Sequence, residues 1–345
     1  MDKKETVLVT GGTGFVGVHC ILQLLQKGYR VKTTLRTMNR KEEVLDMLRN
    51  GGIATPDGLE FVEADLMKDA NWDKAVKDCR FVLHVASPMA TVIPRDENEV
   101  IRPAVDGTLR VLTAAKNAGV KRVVLTSNFG AVGYSHKDPH TVITEEEWSN
   151  PHQKGMTAYN RSKILAERAA WDFIRKEGEQ MELAVINPVA IFGPTLGRDI
   201  SGSFAFLTHM LDGSMKSIPQ LNMNIADVRD VADLHIRAMT HPGASGQRFL
   251  ALSGGAMSLP EMAVFLKKEM PGVSQKVSTK VLSNGLVRLA GLFNKQAKAI
   301  APLLGVSRNV SNAKAKKMLD WQPIATNEQA IVASVESMIK FGVLQ

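Results

Sequence analysis

The stretch Thr6-Val7-Leu8-Val9-Thr10-Gly11-Gly12-Thr13-Gly14-Phe15-Val16-Gly17 decides how this chain is read. Its first five residues form a short apolar run with β-branched members, the pattern of a buried strand. After Gly17, Ile21, Leu22, Leu24 and Leu25 recur at helical spacing, with Gly28 as the stop. A glycine-rich turn therefore joins a strand to a helix. Gly11 allows the tight turn, Gly14 lets backbone approach a phosphate, and Gly17 lets the helix lie close to the sheet. The helix start, with Thr13, Phe15 and Val16, offers N–H groups and a partial positive charge to an anion. No Gly-Lys-Ser/Thr follows, which excludes a nucleoside-triphosphate P-loop.

Working outward, strands and helices alternate through the first half. Strand-like runs fall at residues 29–35, 60–63, 81–85, 122–126 and 183–186, with helices at 41–48, 98–118 and 157–176 between them. Connections of that length imply right-handed crossovers and a parallel sheet covered on both faces. The expected fold is α/β: a Rossmann-like doubly wound parallel sheet with a smaller, mostly helical C-terminal substrate domain. The boundary is placed near 190, giving a cofactor domain at 1–190 with later returns near 222–252, and a substrate domain at 191–345. Asp227 is expected to cap one helix of the second half, and Ser258-Leu259-Pro260-Glu261 has the form of a capping box ahead of another.

The end of the second strand selects the dinucleotide. An NAD site wants a carboxylate there for the ribose 2′-hydroxyl. This chain has Arg36, with Arg40 and Lys41 soon after. Guanidinium and ammonium groups suit a 2′-phosphate, so the cofactor is expected to be NADP(H). Asp65-Leu66, after the third strand, is placed to meet the adenine amino group.

Tyr159 and Lys163 are four residues apart on a helical pattern and so share one face. A phenol gives its proton to a carbonyl oxygen more readily when a fixed cation lowers its pKa, and Lys163 is expected to do this.

With Leu83-His84-Val85-Ala86-Ser87-Pro88, Thr126-Ser127-Asn128, Asn187-Pro188, Phe192-Gly193-Pro194 and Asp227-Val228-Arg229-Asp230-Val231-Ala232, these motifs run in order from residue 6 to about 240. In them the chain resembles the extended short-chain dehydrogenase/reductases, and within these the dihydroflavonol-reductase-like aldehyde and ketone reductases. The resemblance implies NADPH-dependent reduction of a small-molecule carbonyl. Val85, Ala86 and Ser87 would line the cofactor, Pro188 would sit beside the nicotinamide, and Lys163 would also hold the ribose. Two positions depart from the family. Its catalytic serine falls in register on Asn128, with Ser127 as the alternative. An asparagine that grips flavonoid rings in relatives is here Gly133, so flavonoid specificity is not carried over. Met89, Phe129, Phe204 and Phe206 are candidate walls of an apolar substrate cleft, with ordinary core packing as the competing reading of the last two.

Composition sets the remaining bounds. The chain has 345 residues, 44% of them hydrophobic, and a net charge of +8. From Leu259 to Gln345 there are 12 Lys/Arg against 5 Asp/Glu, so the excess sits in the last quarter. Lys314, Lys316 and Lys317 with Arg308 form its densest cluster, read as a solvated basic helix face rather than a nucleic-acid platform. Two cysteines, Cys20 and Cys79, exclude a disulfide scaffold and suit a cytoplasmic protein. His84 reads as a core histidine. His136 and His140, separated by Pro139, do not make a metal site. No apolar run is long enough to span a membrane. Neither a nucleic-acid nor a membrane partner is expected, and the chain is read as a monomer or homodimer. The alternatives are a nucleotide-sugar epimerase or dehydratase on the same fold, and a non-enzymatic NADP-binding regulator.

Overall fold

In a computed structural model, residues 5–88, 96–136 and 138–344 are described. The strands are β1 (Thr6–Val9), β2 (Arg30–Leu35), β3 (Leu59–Glu63), β4 (Phe81–His84), β5 (Arg122–Thr126), β6 (Val142–Ile143), β7 (Glu182–Pro188), β8 (Ala190–Phe192), β9 (Ile218–Pro219), β10 (Asn222–Asp227), β11 (Arg248–Ala251), β12 (Ala256–Ser258), β13 (Val281–Leu282) and β14 (Asn309–Val310). The helices used below are α1 (Phe15–Gln26), α2 (Lys41–Asn50), α3 (Trp72–Val76), α4 (Asn98–Asn117), α5 (Ala158–Glu177), α6 (Phe204–Leu211), α7 (Val228–Thr240) and α8 (Leu259–Glu269).

Seven strands form the main sheet in the order β11-β7-β5-β4-β1-β2-β3. Every adjacent pair is parallel. A parallel sheet sandwiched by crossover helices buries its inner strands on both faces, which is why Val7, Leu8, Val9, Leu83, Val123 and Val124 are fully buried without polar alternation. One apolar layer carries Val9, Ile21, Leu24, Ala232 and Trp321. The opposite layer carries Leu8, Val82, Val111, Leu112 and Phe173. The strand order reverses between β1 and β4, the switch point beside which open α/β sheets bind ligands at the carboxyl ends of their strands.

The second half differs from its sequence reading in two respects. A three-stranded sheet, β12-β10-β8, lies beside the main one. Asn222-Met223-Asn224 has poor strand propensity, and β10 is set by its pairing with β8 and β12 rather than by its own residues. The short helix α3 and the helices Asn284–Ala290 and Lys295–Ile300 have no counterpart in the sequence reading, whereas the basic helix face at Lys314, Lys316 and Lys317 falls on the helix Ala313–Leu319. Of the expected helix signals, Asp227 accepts from Arg229 N at the start of α7, and Ser258 with Glu261 forms the capping box of α8.

Candidate active site

The glycine turn is built on main-chain geometry. Gly11 has φ +76°, in the left-handed region. Its N–H donates to Thr34 Oγ1 at 3.1 Å, and Gly12 N–H donates to the Thr34 carbonyl at 3.1 Å, so the turn is sewn to the end of β2. A Cβ on Gly17 would stand 2.3 Å from the Gly11 carbonyl oxygen, which shows how close α1 lies to the turn. No side chain caps α1 at Gly14, and its first turn holds no acid. The orphan N–H groups there suit a phosphate, and the turn therefore fits a dinucleotide. Phe15 points away, into an edge-to-face stack with Phe204 at 5.3 Å.

Thr10, just after β1, was not singled out from sequence. Its hydroxyl contacts His84 Nδ1 at 2.9 Å and accepts from Val85 N at 3.1 Å and Ala86 N at 3.0 Å. This pins the segment after β4 across the glycine turn, with Ala86 Cβ only 3.0 Å from where a Gly11 Cβ would be. Ser87 follows at the mouth. His84 is buried, and desolvation pushes its pKa down to about 3, so it stays neutral. Met89 lies outside the described residues.

The three cations after β2 are not equivalent. Arg40 is bound to Glu43 through Nε at 2.7 Å and Nη2 at 2.6 Å, with Asp199 3.6 Å away. Lys41 lies over the Phe61 ring at 5.5 Å. Arg36 is exposed, and among the described residues no ion pair engages it. Local carboxylates pair with Arg40, whereas neither Arg36 nor Lys41 has a carboxylate partner among the described residues. Asp65 Oδ1 accepts from Met67 N at 3.0 Å, so it also shapes its own turn. Leu66 packs on α4 where Gly107 leaves room for it.

The α5 end supplies the chemistry. Thr157 caps the helix by accepting from Asn160 N at 3.2 Å, and Tyr159 follows in the first turn. The residue as a whole is 39% exposed. Desolvation of the hydroxyl raises the phenol pKa, and a hydrogen bond with the Asn128 side chain pulls the other way. In the free protein burial and Asn128 set that balance, with Lys163 one helical turn further along α5. Lys163 is buried, and desolvation brings its pKa down to about 8 against the raising field of Glu167.

Asn128 and Ser127 point to different places. The Asn128 side chain meets Tyr159 while its Oδ1 is buried without a hydrogen-bond partner among the described residues, and Ser127 Oγ, likewise unpartnered, lines a small cavity with Lys163 and Glu167. Gly130 fits between the Asn128 and Asn160 amides, where a Cβ would be 2.9 and 2.8 Å from their oxygens. The Phe129 ring fills the space beside Gly133, whose Cβ would lie 2.4 Å from Phe129 Cζ. Pro188 ends β7, paired with Ala251. Phe204 is fully buried against Phe15 and Phe192, in the core of the smaller layer, whereas Phe206 is only partly buried.

Arg308 corrects the reading of the basic cluster. It is half-buried, donating to the carbonyls of Gly133 at 3.2 Å, His136 at 3.1 Å and Tyr134 at 3.3 Å, over the Tyr134 ring. It ties the C-terminal quarter to the loop after Asn128 instead of facing solvent. Cys20 and Cys79 are free and buried. Among the described residues no group of His, Cys, Asp and Glu could hold a metal ion. None of the described helices is long and apolar enough to cross a membrane.

Known proteins are similar to this chain over most of its length. The family model of the NAD dependent epimerase/dehydratase family matches residues 7–250. Cinnamoyl-CoA reductase CAD2 of Medicago truncatula is 34% identical over 252 residues, covering 71% of this chain and 76% of that protein. Anthocyanidin reductase of Vitis vinifera is 34% identical over 283 residues, covering 78% and 82%. The crystal structure of the yeast methylglyoxal/isovaleraldehyde reductase Gre2 complexed with NADPH superposes with TM-score 0.80 at 26% identity, covering 98% of this chain and 99% of that one. With the match extending from β1 through β11 and taking in the glycine turn, Tyr159 and Lys163, the chain belongs to the NAD dependent epimerase/dehydratase family.

Proposed function

We propose that the protein is an NADPH-dependent reductase that converts a small-molecule aldehyde or ketone to the alcohol. One observation carries the reading: a phenol, a buried ammonium and an amide donor converge at the carboxyl ends of the parallel strands, where an uncapped, acid-free helix N-terminus also lies. Relatives named as NADPH-dependent methylglyoxal reductase, cinnamoyl-CoA reductase and anthocyanidin reductase support it.

NADPH, when bound, supplies the hydride. The turn at Gly11, Thr13, Gly14, Val16 and Gly17 would hold its pyrophosphate, Arg36 its 2′-phosphate, Asp65 and Leu66 its adenine, and Val85, Ala86, Ser87 and Pro188 the nicotinamide end. Tyr159, its pKa raised by burial, keeps its proton at neutral pH and gives it to the carbonyl oxygen as negative charge builds there. A hydrogen bond that lowers a phenol's pKa favours the phenolate, so Asn128 donates to Tyr159 and stabilises what the proton leaves behind. Lys163, still charged below about pH 8, adds a cation to the same end. The Phe129 ring over Gly133 makes that wall apolar, which favours aliphatic and aromatic carbonyls over polyhydroxylated rings. Two free, buried cysteines support placement in the cytoplasm, where the protein works as a monomer or homodimer.

NADPH oxidation followed at 340 nm across aldehydes, ketones and nucleotide sugars tests the reading. Turnover of simple carbonyls is expected. Turnover of nucleotide sugars alone, without added NADPH, would overturn it in favour of an epimerase.

A further inference from the structure

A buried carboxylate stands one helical turn beyond Lys163. Glu167 is 0% exposed. Its Oε1 accepts from Arg248 Nε at 2.6 Å, and its Oε2 accepts from Asn187 Nδ2 at 2.8 Å. Glu167 also lines the same small cavity as Lys163, Ser127 and Thr108, a space of about 10 Å³ with room for roughly one water molecule.

The arrangement reaches both partners of Tyr159. On one side Glu167 shares the small cavity with Lys163, and its charge favours the ammonium there. On the other, Asn187 Nδ2 donates to the Asn128 carbonyl at 3.1 Å as well as to Glu167, so one amide ties the carboxylate to the residue that contacts the phenol. Arg248 is itself held from behind. Its Nη1 donates to the carbonyls of Glu145 at 2.9 Å and Glu147 at 2.8 Å, and its guanidinium lies 3.8 Å from the Trp148 ring centroid.

Burying an ion pair gains little stability over apolar packing, because desolvation offsets the attraction. A pair kept fully inside at the end of the sheet calls for another reason, and the group it faces supplies one. Lys163 has no other carboxylate near it among the described residues lining that cavity. The remaining neighbours are uncharged at neutral pH: Tyr159 on α5, His84 on β4, Ser127 after β5 and Thr108 on α4. His235 on α7, which contacts Thr126, is also neutral, its pKa pushed down to about 4.

We propose that Glu167 is a positioning residue, the counter-charge that keeps Lys163 an ammonium and, through Asn187, holds Asn128 against Tyr159. Arg248 fixes the carboxylate in that place. The proposal rests on the Tyr159/Lys163 reading of the site.

Glu167→Gln preserves shape and removes the charge. Without the carboxylate, Lys163 loses its proton at lower pH. The falling alkaline limb of kcat/KM is expected to move down by about one pH unit, with kcat at pH 7.5 falling roughly threefold. NADPH affinity and carbonyl KM are expected to stay within about twofold. A staple that only stabilised the fold would lower Tm and scale the whole profile without moving its limb. A folded Glu167→Gln protein with the wild-type limb overturns the proposal. If Gln alone does not fold, Glu167→Gln with Arg248→Met removes both charges so that neither is left buried and alone. That pair is expected to show the same shift, and an unmoved limb in it overturns the proposal equally. Tyr159→Phe is run alongside: if it keeps wild-type kcat, the reading of the pair itself fails, whatever Glu167 shows.

Discussion

The glycine turn at residues 10–17 and the first turns of α5 face the same edge of the sheet, but they are held by different forces. The turn is held by backbone. Gly11 takes a left-handed φ, Gly17 removes a Cβ that would strike a carbonyl 2.3 Å away, and the side chains of Thr10 and Thr34 bond main-chain N–H groups. The α5 end is held by buried charge and amides: Lys163, Glu167, Arg248 and Asn187, with partners 20 to 81 residues apart in the chain. A backbone cradle suits a ligand whose charge is fixed, since N–H groups do not titrate. A proton-transferring end needs groups whose charge can move, and such groups must be tuned by neighbours.

That contrast predicts how each region breaks. The largest effect belongs to the titrating end. Tyr159→Phe is expected to lower kcat by about 10²- to 10⁴-fold, the range for loss of a general acid, while NADPH affinity measured by fluorescence titration changes little. An equal loss of affinity would mean that the two regions are not separable.

Gly17→Ala attacks the cradle. The new Cβ must displace the Gly11 carbonyl, so the turn opens where the pyrophosphate would lie. NADPH Kd is expected to rise by about tenfold or more, with kcat at saturating NADPH nearly kept, the reverse of the Tyr159→Phe pattern. Calorimetric titration checks it.

Arg36→Glu sharpens the cradle's selectivity. With Arg40 already bound to Glu43 and Asp199, the change removes the guanidinium at the end of β2, and the ratio of kcat/KM for NADPH over NADH is expected to fall by about tenfold or more. If Arg40 had been available as a substitute, the ratio would barely move.

The smallest effect lies outside both regions. Asp230 on α7 accepts from Ile324 N at 2.8 Å and is otherwise desolvated, which raises its pKa to about 6. The folded state therefore binds this proton more tightly than the unfolded chain does. The cost of burying the charge is absent below the ordinary value of 3.8, grows as pH rises, and is complete above about 6. Asp230→Asn keeps the accepting oxygen, and it is expected to raise Tm by about 2–4 °C at pH 8 and by less at pH 5. A gain of equal size at both values, read by differential scanning fluorimetry, would show that charge is not the cause.

How legible each region was follows from the same physics. The glycine turn could be read because each residue acts on atoms within a few positions of itself. Tyr159 and Lys163 could be read as a pair because helical spacing alone makes them neighbours. Thr10 carried no signal, since its hydroxyl matters only once β4 lies beside β1. Arg248 resembled any strand-edge cation, and Glu167 any helical glutamate. Arg308 was taken for a surface charge because its three carbonyl partners lie more than 170 residues away.

By itself, then, the sequence determined what local geometry and period can encode: the alternation of strand and helix, the tight turn, the shared face of Tyr159 and Lys163, and the absence of a carboxylate at the end of β2. Tertiary structure alone decided which groups carry charge and where. It spent Arg40 on Glu43, turned Asn128 rather than Ser127 toward the phenol, and buried Glu167 with Arg248 behind Lys163. Desolvation and long-range pairing are sums over the folded surroundings, so no run of neighbouring residues contains them.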